Sequence, residues 1–194
     1  MLDRFPIAPG SRRFYRNTWH ADRQGRPQGH EGTDIAAPAG TPIVAARAGR
    51  VLSVSSDAES RCGLGVFIVV TLPDGRRELD GYCHMRAIPV VHEREPVEAG
   101  QVIGTVGATG NATSTDRHGV RHEHPHLHFQ IEELPSRRRR NPFAELRAAE
   151  LAEQGSPSLR AVRSAVSRST RASSAGLGLV LVLAVFLYSL AKDT

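Results

Sequence analysis

The chain has 194 residues, 40% of them apolar and 23% charged, which suits one domain of roughly 130 residues with its own core plus a further segment. That composition excludes wholesale disorder, a collagen-like rod and a many-pass membrane protein, and only two cysteines, Cys62 and Cys83, exclude a cysteine-rich scaffold or an all-cysteine zinc cluster. The net charge of +5 is uneven, with residues 1–136 summing to −1 and residues 137–171 to +6, so the basic excess belongs to a tail segment and not to the main domain.

The N-terminal stretch MLDRFPIAPGSRR has no apolar run of seven residues, so no secretory signal peptide is expected. Residues 1–135 read as a mainly β domain. The short apolar runs TPIVAA, RVLSVS, GVFIVVTL, QVIGTVG and HLHFQIEE are separated by Gly, Pro and Asp, and no helical period of useful length lies among them. Many short strands with frequent turns predict a sandwich or barrel. Asp74-Gly75, between the runs Val66 to Leu72 and Arg77 to Tyr82, predicts a hairpin. With a two-residue turn there, Cys83 pairs near Val66. Cys62 is then about four residues away, too far at about 3.3 Å per residue for a disulfide without a bulge. Free thiols are therefore expected.

Residues 136–171 read as an Arg- and Ser-rich linker. Within it Asn141-Pro142 predicts the cap and first turn of a short helix over 142–154, stopped by Gly155. The rest is expected to stay flexible or to lie on an anionic membrane surface. Residues 172–191 carry no charge and are bracketed by Arg171 and Lys192. At about 1.5 Å per residue they would span one bilayer core as a transmembrane helix. The lipid bilayer, specifically a bacterial inner membrane, is thus an expected partner.

Nine histidines are clustered. In an extended segment, residues i and i+2 share a face. His126 and His128 would then stand side by side, with Leu127 and Phe129 turned to the core. His30 and Asp34 can converge if the chain turns between them, for which Gly32 gives freedom. Two histidines and one aspartate make a first shell for Zn²⁺ with one position left open, as in catalytic sites. His118, His122 and His124 lie in a long loop and read either as competing ligands or as a solvated wall. His20 and His92 have no evident partner. Cys83 and His84, as strand neighbours, face opposite ways, which is poor geometry for a Cys–His nucleophile.

The ordered set GHEGTDIAAPAGTPIVAARAGRV, GYCHM, VEAGQVIGTVGATGNA and HLHF resembles the LytM/lysostaphin family of zinc metallopeptidases over about residues 5–134. The resemblance implies a small, twisted antiparallel β-sheet fold with one zinc in a groove. It assigns His30, Asp34 and His128 as metal ligands and His84 and His126 as catalytic. It also implies hydrolysis of peptide bonds in peptidoglycan cross-links or stem peptides by a zinc-activated water. The departures are the long, His-rich segment before His126 and the Cys and Met that flank His84. A wall-binding or amidase-activating module of the same fold is the competing expectation.

The run VEAGQVIGTVG also resembles lipoyl carriers, but the only lysine is Lys192, at the far end of the apolar segment. Arg137 to Arg140 lacks interleaved aromatics, so no nucleic-acid partner is expected and a membrane-proximal role is favoured. Arg160, Arg163, Arg168 and Arg171 before the apolar segment would place the domain in the cytoplasm. That is the wrong side for the wall, unless the enzyme waits inside until the membrane is breached.

Overall fold

The computed structural model describes residues 1–22 and 27–155. In chain order its strands are β1 (Phe14–Tyr15), β2 (Thr33–Ala36), β3 (Pro42–Val44), β4 (Gly49–Ser55), β5 (Leu64–Thr71), β6 (Arg77–Met85), β7 (Pro96–Val97), β8 (Val102–Thr105), β9 (Thr113–Thr115), β10 (Arg121–Glu123), β11 (His126–Leu134) and β12 (Arg138–Arg140), followed by helix α1 (Phe143–Gln154). The fold is mainly β, as expected. Each apolar run read from the sequence contains a strand.

One antiparallel sheet runs β1-β2-β11-β6-β5-β4-β7, with β12 pairing the far end of β11. Two small antiparallel pairs, β3–β8 and β9–β10, stand beside it. The inner face of the large sheet buries Ile35, Val66, Ile68, Tyr82, Leu127, Phe129 and Ile131, which pack with Ile43 and Ile103 of β3 and β8 and with Phe5 and Ile7 of the N-terminal segment. Alternation does this directly: Leu127, Phe129 and Ile131 are fully buried while His126 and His128, between and beside them, face the opposite groove.

The β5–β6 hairpin turns through Pro73-Asp74-Gly75, closed by Leu72 N–H donating to Arg76 O at 2.8 Å, with Gly75 at φ +82°. That is a three-residue loop with glycine in the left-handed position. It moves the register by one residue from a two-residue turn, so Val66 faces Tyr82. Farther along, Leu64 faces Met85, so Cys83 and His84 together oppose the single residue Gly65. This is a β-bulge.

The bulge and register overturn the expectation of free thiols. Cys62 and Cys83 form a disulfide with Cα atoms 4.9 Å apart. The separation expected along an extended strand does not apply, because the chain bends over Ser60–Gly63, with Gly63 at φ +63°, and folds Cys62 back onto β6.

Helix α1 begins as its sequence predicts, with Asn141 Oδ1 accepting the Phe143 N–H at 3.0 Å. It is packed on the β unit: Leu146 and Ala149 join the core. Phe5 N–H donates to Glu153 at 3.0 Å and Tyr15 Oη to Glu150 at 2.8 Å. The arginine run before it is not a bare basic patch. Arg137 pairs with Glu132, Arg138 with Glu133, Arg139 with Glu31, and Arg140 with Glu78 and Glu145. Beneath the sheet the buried Arg47 pairs with Asp80 and Glu78, so a chain of charges links the β3–β4 connection to α1 through Arg140. The predicted transmembrane segment 172–191 lies outside the described residues. Among the described residues no helix is long and apolar enough to cross a membrane.

Candidate active site

Asp34 on β2 and His128 on β11 are direct cross-strand partners. His30 reaches them from the loop before β2. His30 Nε2 lies 3.0 Å from Asp34 Oδ1 and 3.0 Å from His128 Nδ1, and His128 Nδ1 lies 2.9 Å from Asp34 Oδ1. Three ligand atoms therefore point at one spot, the one such group among the described residues.

The chemistry of this donor set fits a divalent cation. His30 Nδ1 faces the Thr18 hydroxyl at 2.9 Å and the Thr18 carbonyl at 3.3 Å. A proton on Nδ1 is donated there, which leaves the Nε2 lone pair aimed at a carboxylate and a second imidazole nitrogen. Such a cluster of lone pairs and negative charge is what a cation neutralises. Burial alone would raise the Asp34 pKa, but the adjoining His128 and His30 side chains outweigh it and hold the carboxyl far below its usual range. Burial lowers the His128 imidazole in spite of Asp34, so it favours the neutral, ligating form.

Gly32 lies at a bend just before β2, and it also keeps space open. A Cβ on it would stand 2.5 Å from His128 Cε1 and 2.8 Å from the Phe129 carbonyl oxygen. Absence of a side chain lets the His30–Asp34 segment lie against the His128 ring.

The two remaining histidines stand beside this cluster. The His84 and His126 rings are 4.8 Å apart, and His126 Nε2 is 3.6 Å from Asp34 Oδ1. Each ring is oriented by a backbone carbonyl: His84 Nδ1 to Thr109 O at 2.9 Å, and His126 Nδ1 to His124 O at 2.6 Å. With Nδ1 donating, each Nε2 remains to exchange protons in the groove. Burial, then the neighbouring His126 and His128, push the His84 pKa down to about 4, so its imidazole is neutral at pH 7.

Simple alternation fails at His84. It sits in the bulge at φ +68°, and both it and Cys83 line the groove. The left-handed backbone re-aims a side chain that a regular strand would turn to the other face.

The groove encloses about 710 Å³. Histidines and Asp34 occupy one part of its lining, Phe67 and the disulfide another, and Arg61, Arg137 and Arg139 a third. Of the residues singled out from sequence, the structure thus brings together His30, Asp34, His84, His126 and His128. His118, His122 and His124 do not join them. They lie on the exposed β9–β10 ribbon, paired with Arg117, Asp116 and Ser114. Sequence reasoning missed Thr18 and Thr109, whose roles depend on contacts 12 and 25 residues away.

Against known proteins, residues 28–142 match the model of peptidase family M23. The chain is 38% identical over 103 residues to the uncharacterized lipoprotein YgeR of Escherichia coli, covering 53% of this chain and 34% of that protein. It is 33% identical over 107 residues to the peptidoglycan DD-endopeptidase ShyC of Vibrio cholerae (55% and 21%). It is 36% identical over 103 residues to the murein hydrolase activator NlpD of Salmonella typhimurium (53% and 23%). The chain spans about a third or less of each of these relatives. Among solved structures, the catalytic domain of the prophage-encoded M23 protein EnpA from Enterococcus faecalis aligns with TM-score 0.53 and 27% identity, covering 72% of this chain and 95% of that one. A putative glycyl-glycine endopeptidase lytM from Ruminococcus gnavus aligns with TM-score 0.59 and 28% identity, covering 77% and 61%. With the family match spanning more than half of its residues, the chain belongs to peptidase family M23, the LytM/lysostaphin type.

Proposed function

We propose that this chain is a zinc-dependent endopeptidase that hydrolyses peptide bonds in the cross-links or stem peptides of bacterial peptidoglycan. The observation that carries this reading is the convergence of three ligand atoms, of His30, Asp34 and His128, beside the imidazoles of His84 and His126 in an open groove. His30, Asp34 and His128 would hold one zinc. When bound, zinc supplies a Lewis acid and a coordinated water of lowered pKa.

The protein's own residues do the rest. His84 and His126 each present Nε2 to the groove, because Thr109 O and His124 O take their Nδ1 protons. One imidazole accepts a proton as water attacks the scissile carbonyl. The imidazole so protonated then stabilises the developing oxyanion and returns the proton to the leaving amine. The groove lining of Phe67, Gln130 and Arg139 gives the peptide apolar, amide and charged surfaces to lie along.

A second reading has a specific basis, since the likeness to the murein hydrolase activator NlpD, at 36%, is as strong as that to the endopeptidase ShyC. In that reading the same groove binds wall peptides or a partner hydrolase without turnover. The presence of both histidines beside the three candidate ligands favours turnover.

The test is digestion of purified peptidoglycan by the full chain. Soluble muropeptides should appear, stop with a chelator and return with Zn²⁺. Zinc-loaded protein that releases nothing overturns the enzymatic reading in favour of the activator. A cell-envelope location accords with the lipoprotein YgeR. Anchoring at the bacterial inner membrane through residues 172–191 remains part of the proposal, and protease accessibility in spheroplasts distinguishes the two sides.

A further inference from the structure

The backbone of His84 is in the left-handed region, at φ +68°, where a residue with a side chain stays only if its surroundings hold it. Its N–H donates to Cys62 O at 2.8 Å, and its carbonyl accepts from Gly107 N at 3.0 Å. Its ring donates to Thr109 O at 2.9 Å.

Both flanking segments are fastened to each other. Leu64 N–H donates to Thr109 Oγ1 at 3.0 Å, Thr109 Oγ1 donates to Met85 O at 2.8 Å, and Gly110 N–H donates to Ala58 O at 2.7 Å. Gly63 leaves no room for a side chain, since a Cβ would stand 2.6 Å from Gly110 N. The bend over residues 58–63 is therefore the support on which both the backbone and the ring of His84 rest. Apart from these hydrogen bonds, the covalent tie between that bend and β6 is the Cys62–Cys83 disulfide, next to His84 in sequence. Cys62 is only half-buried, and both half-cystines line the groove, so a reductant can reach the bond.

Resting on the peptidase reading above, we propose that the Cys62–Cys83 disulfide is the positioning element of His84 and makes hydrolysis redox-dependent, on when the bond is formed and impaired when it is reduced. In reduction by a dithiol, a thiolate attacks one sulfur and the S–S bond breaks. The resulting mixed disulfide is resolved by the second thiol. Cys62 and Cys83 end as thiols and the dithiol as its own disulfide, with two electrons and two protons transferred. His126 serves as the internal reference, because it lies on β11, which pairs with β2, and its ring is fixed by His124 O. A chain made in a reducing compartment would be held in its weaker form until it met oxidising surroundings.

The experiment uses the full, zinc-loaded chain before and after a thiol-free phosphine reductant, with Cys62→Ser/Cys83→Ser as a second form lacking the bond. On reduction, kcat on peptidoglycan should fall by roughly 10–100-fold with KM little changed, as expected when a proton-transfer group is displaced. The double variant should show the same fall and no response to the phosphine, which separates bond cleavage from metal removal. In NMR spectra the His84 Nδ1–H signal should be lost to solvent exchange in both forms that lack the bond while that of His126 persists. Unchanged kcat together with a persistent His84 signal overturns the proposal. So does a fall in kcat accompanied by loss of β-sheet circular dichroism or of bound zinc, since the bond would then hold the whole domain. If the oxidised protein cleaves no wall, the peptidase reading fails, and the NMR comparison alone decides whether the disulfide positions His84.

Discussion

His30, His84, His126 and His128 converge over β2, β6 and β11 in a groove, whereas His118, His122 and His124 sit on the exposed β9–β10 ribbon, each bonded to a near neighbour. The side-chain chemistry is the same in both regions. The difference lies in what surrounds it. In the groove, central strands of one sheet fix the ring positions, and backbone carbonyls or a threonine fix the tautomers. On the ribbon, two short strands pair only with each other, and solvent competes with every contact. A histidine is placed to serve as a ligand or proton carrier where non-local pairing holds it near others.

The strongest way to break that comparison is to remove a candidate ligand. Asp34→Ala or His128→Ala should abolish both zinc binding and wall hydrolysis, read by metal analysis and muropeptide release, since three protein ligands leave none to spare. Retained zinc and activity would dissolve the distinction between the two regions. Next in size, His84→Ala or His126→Ala should lower kcat by about 10²–10⁴-fold while zinc stays bound, the span typical of a lost general acid–base.

The pH dependence of stability sharpens the contrast further. His84 has its folded pKa pushed down to about 4, below its unfolded value of about 6.5. Between these values the unfolded chain takes up a proton that the folded one refuses, so stability falls as pH drops from 6.5 toward 4. The loss attributable to this group is up to about 3 kcal/mol. Thermal melting of the metal-free protein should show it, and His84→Gln should flatten the slope.

Gly32→Ala drives a methyl group into the His128 ring. Zinc affinity should fall by about 10–100-fold, the range seen when the support of a ligand is disturbed, as measured by competition with a chromogenic chelator. Smallest of all, His118→Ala, His122→Ala and His124→Ala should each change stability by no more than about 0.5 kcal/mol and leave zinc content and hydrolysis intact. Loss of zinc in any of them would make the ribbon part of the site.

Much of the site was legible because its signals are local. The i, i+2 spacing of His126 and His128 places both on one face, and the buried Leu127 and Phe129 confirm the direction of that face. Asn141-Pro142 likewise announces the helix start, where Asn141 Oδ1 meets the Phe143 N–H. The errors came where one residue of register mattered. A three-residue hairpin loop in place of two, and the bulge at Cys83–His84, change what faces what. They allow the disulfide and turn His84 into the groove. The Arg137–Arg140 run reads as a basic patch because its carboxylate partners, Glu31, Glu78, Glu132, Glu133 and Glu145, are spread along the chain.

By itself the amino-acid sequence determined the strand-forming runs, the candidate set of His30, Asp34, His126 and His128, and the order of motifs that places the chain in its family, since side-chain chemistry and short-range periodicity are properties of neighbours; His84 was singled out only by that resemblance. Only the tertiary structure decided the cross-link, the bulge that aims His84, the neutralisation of the arginines and the space kept open by Gly32. Each of these depends on segments that meet in space after being far apart along the chain, where a shift of one position exchanges one set of partners for another.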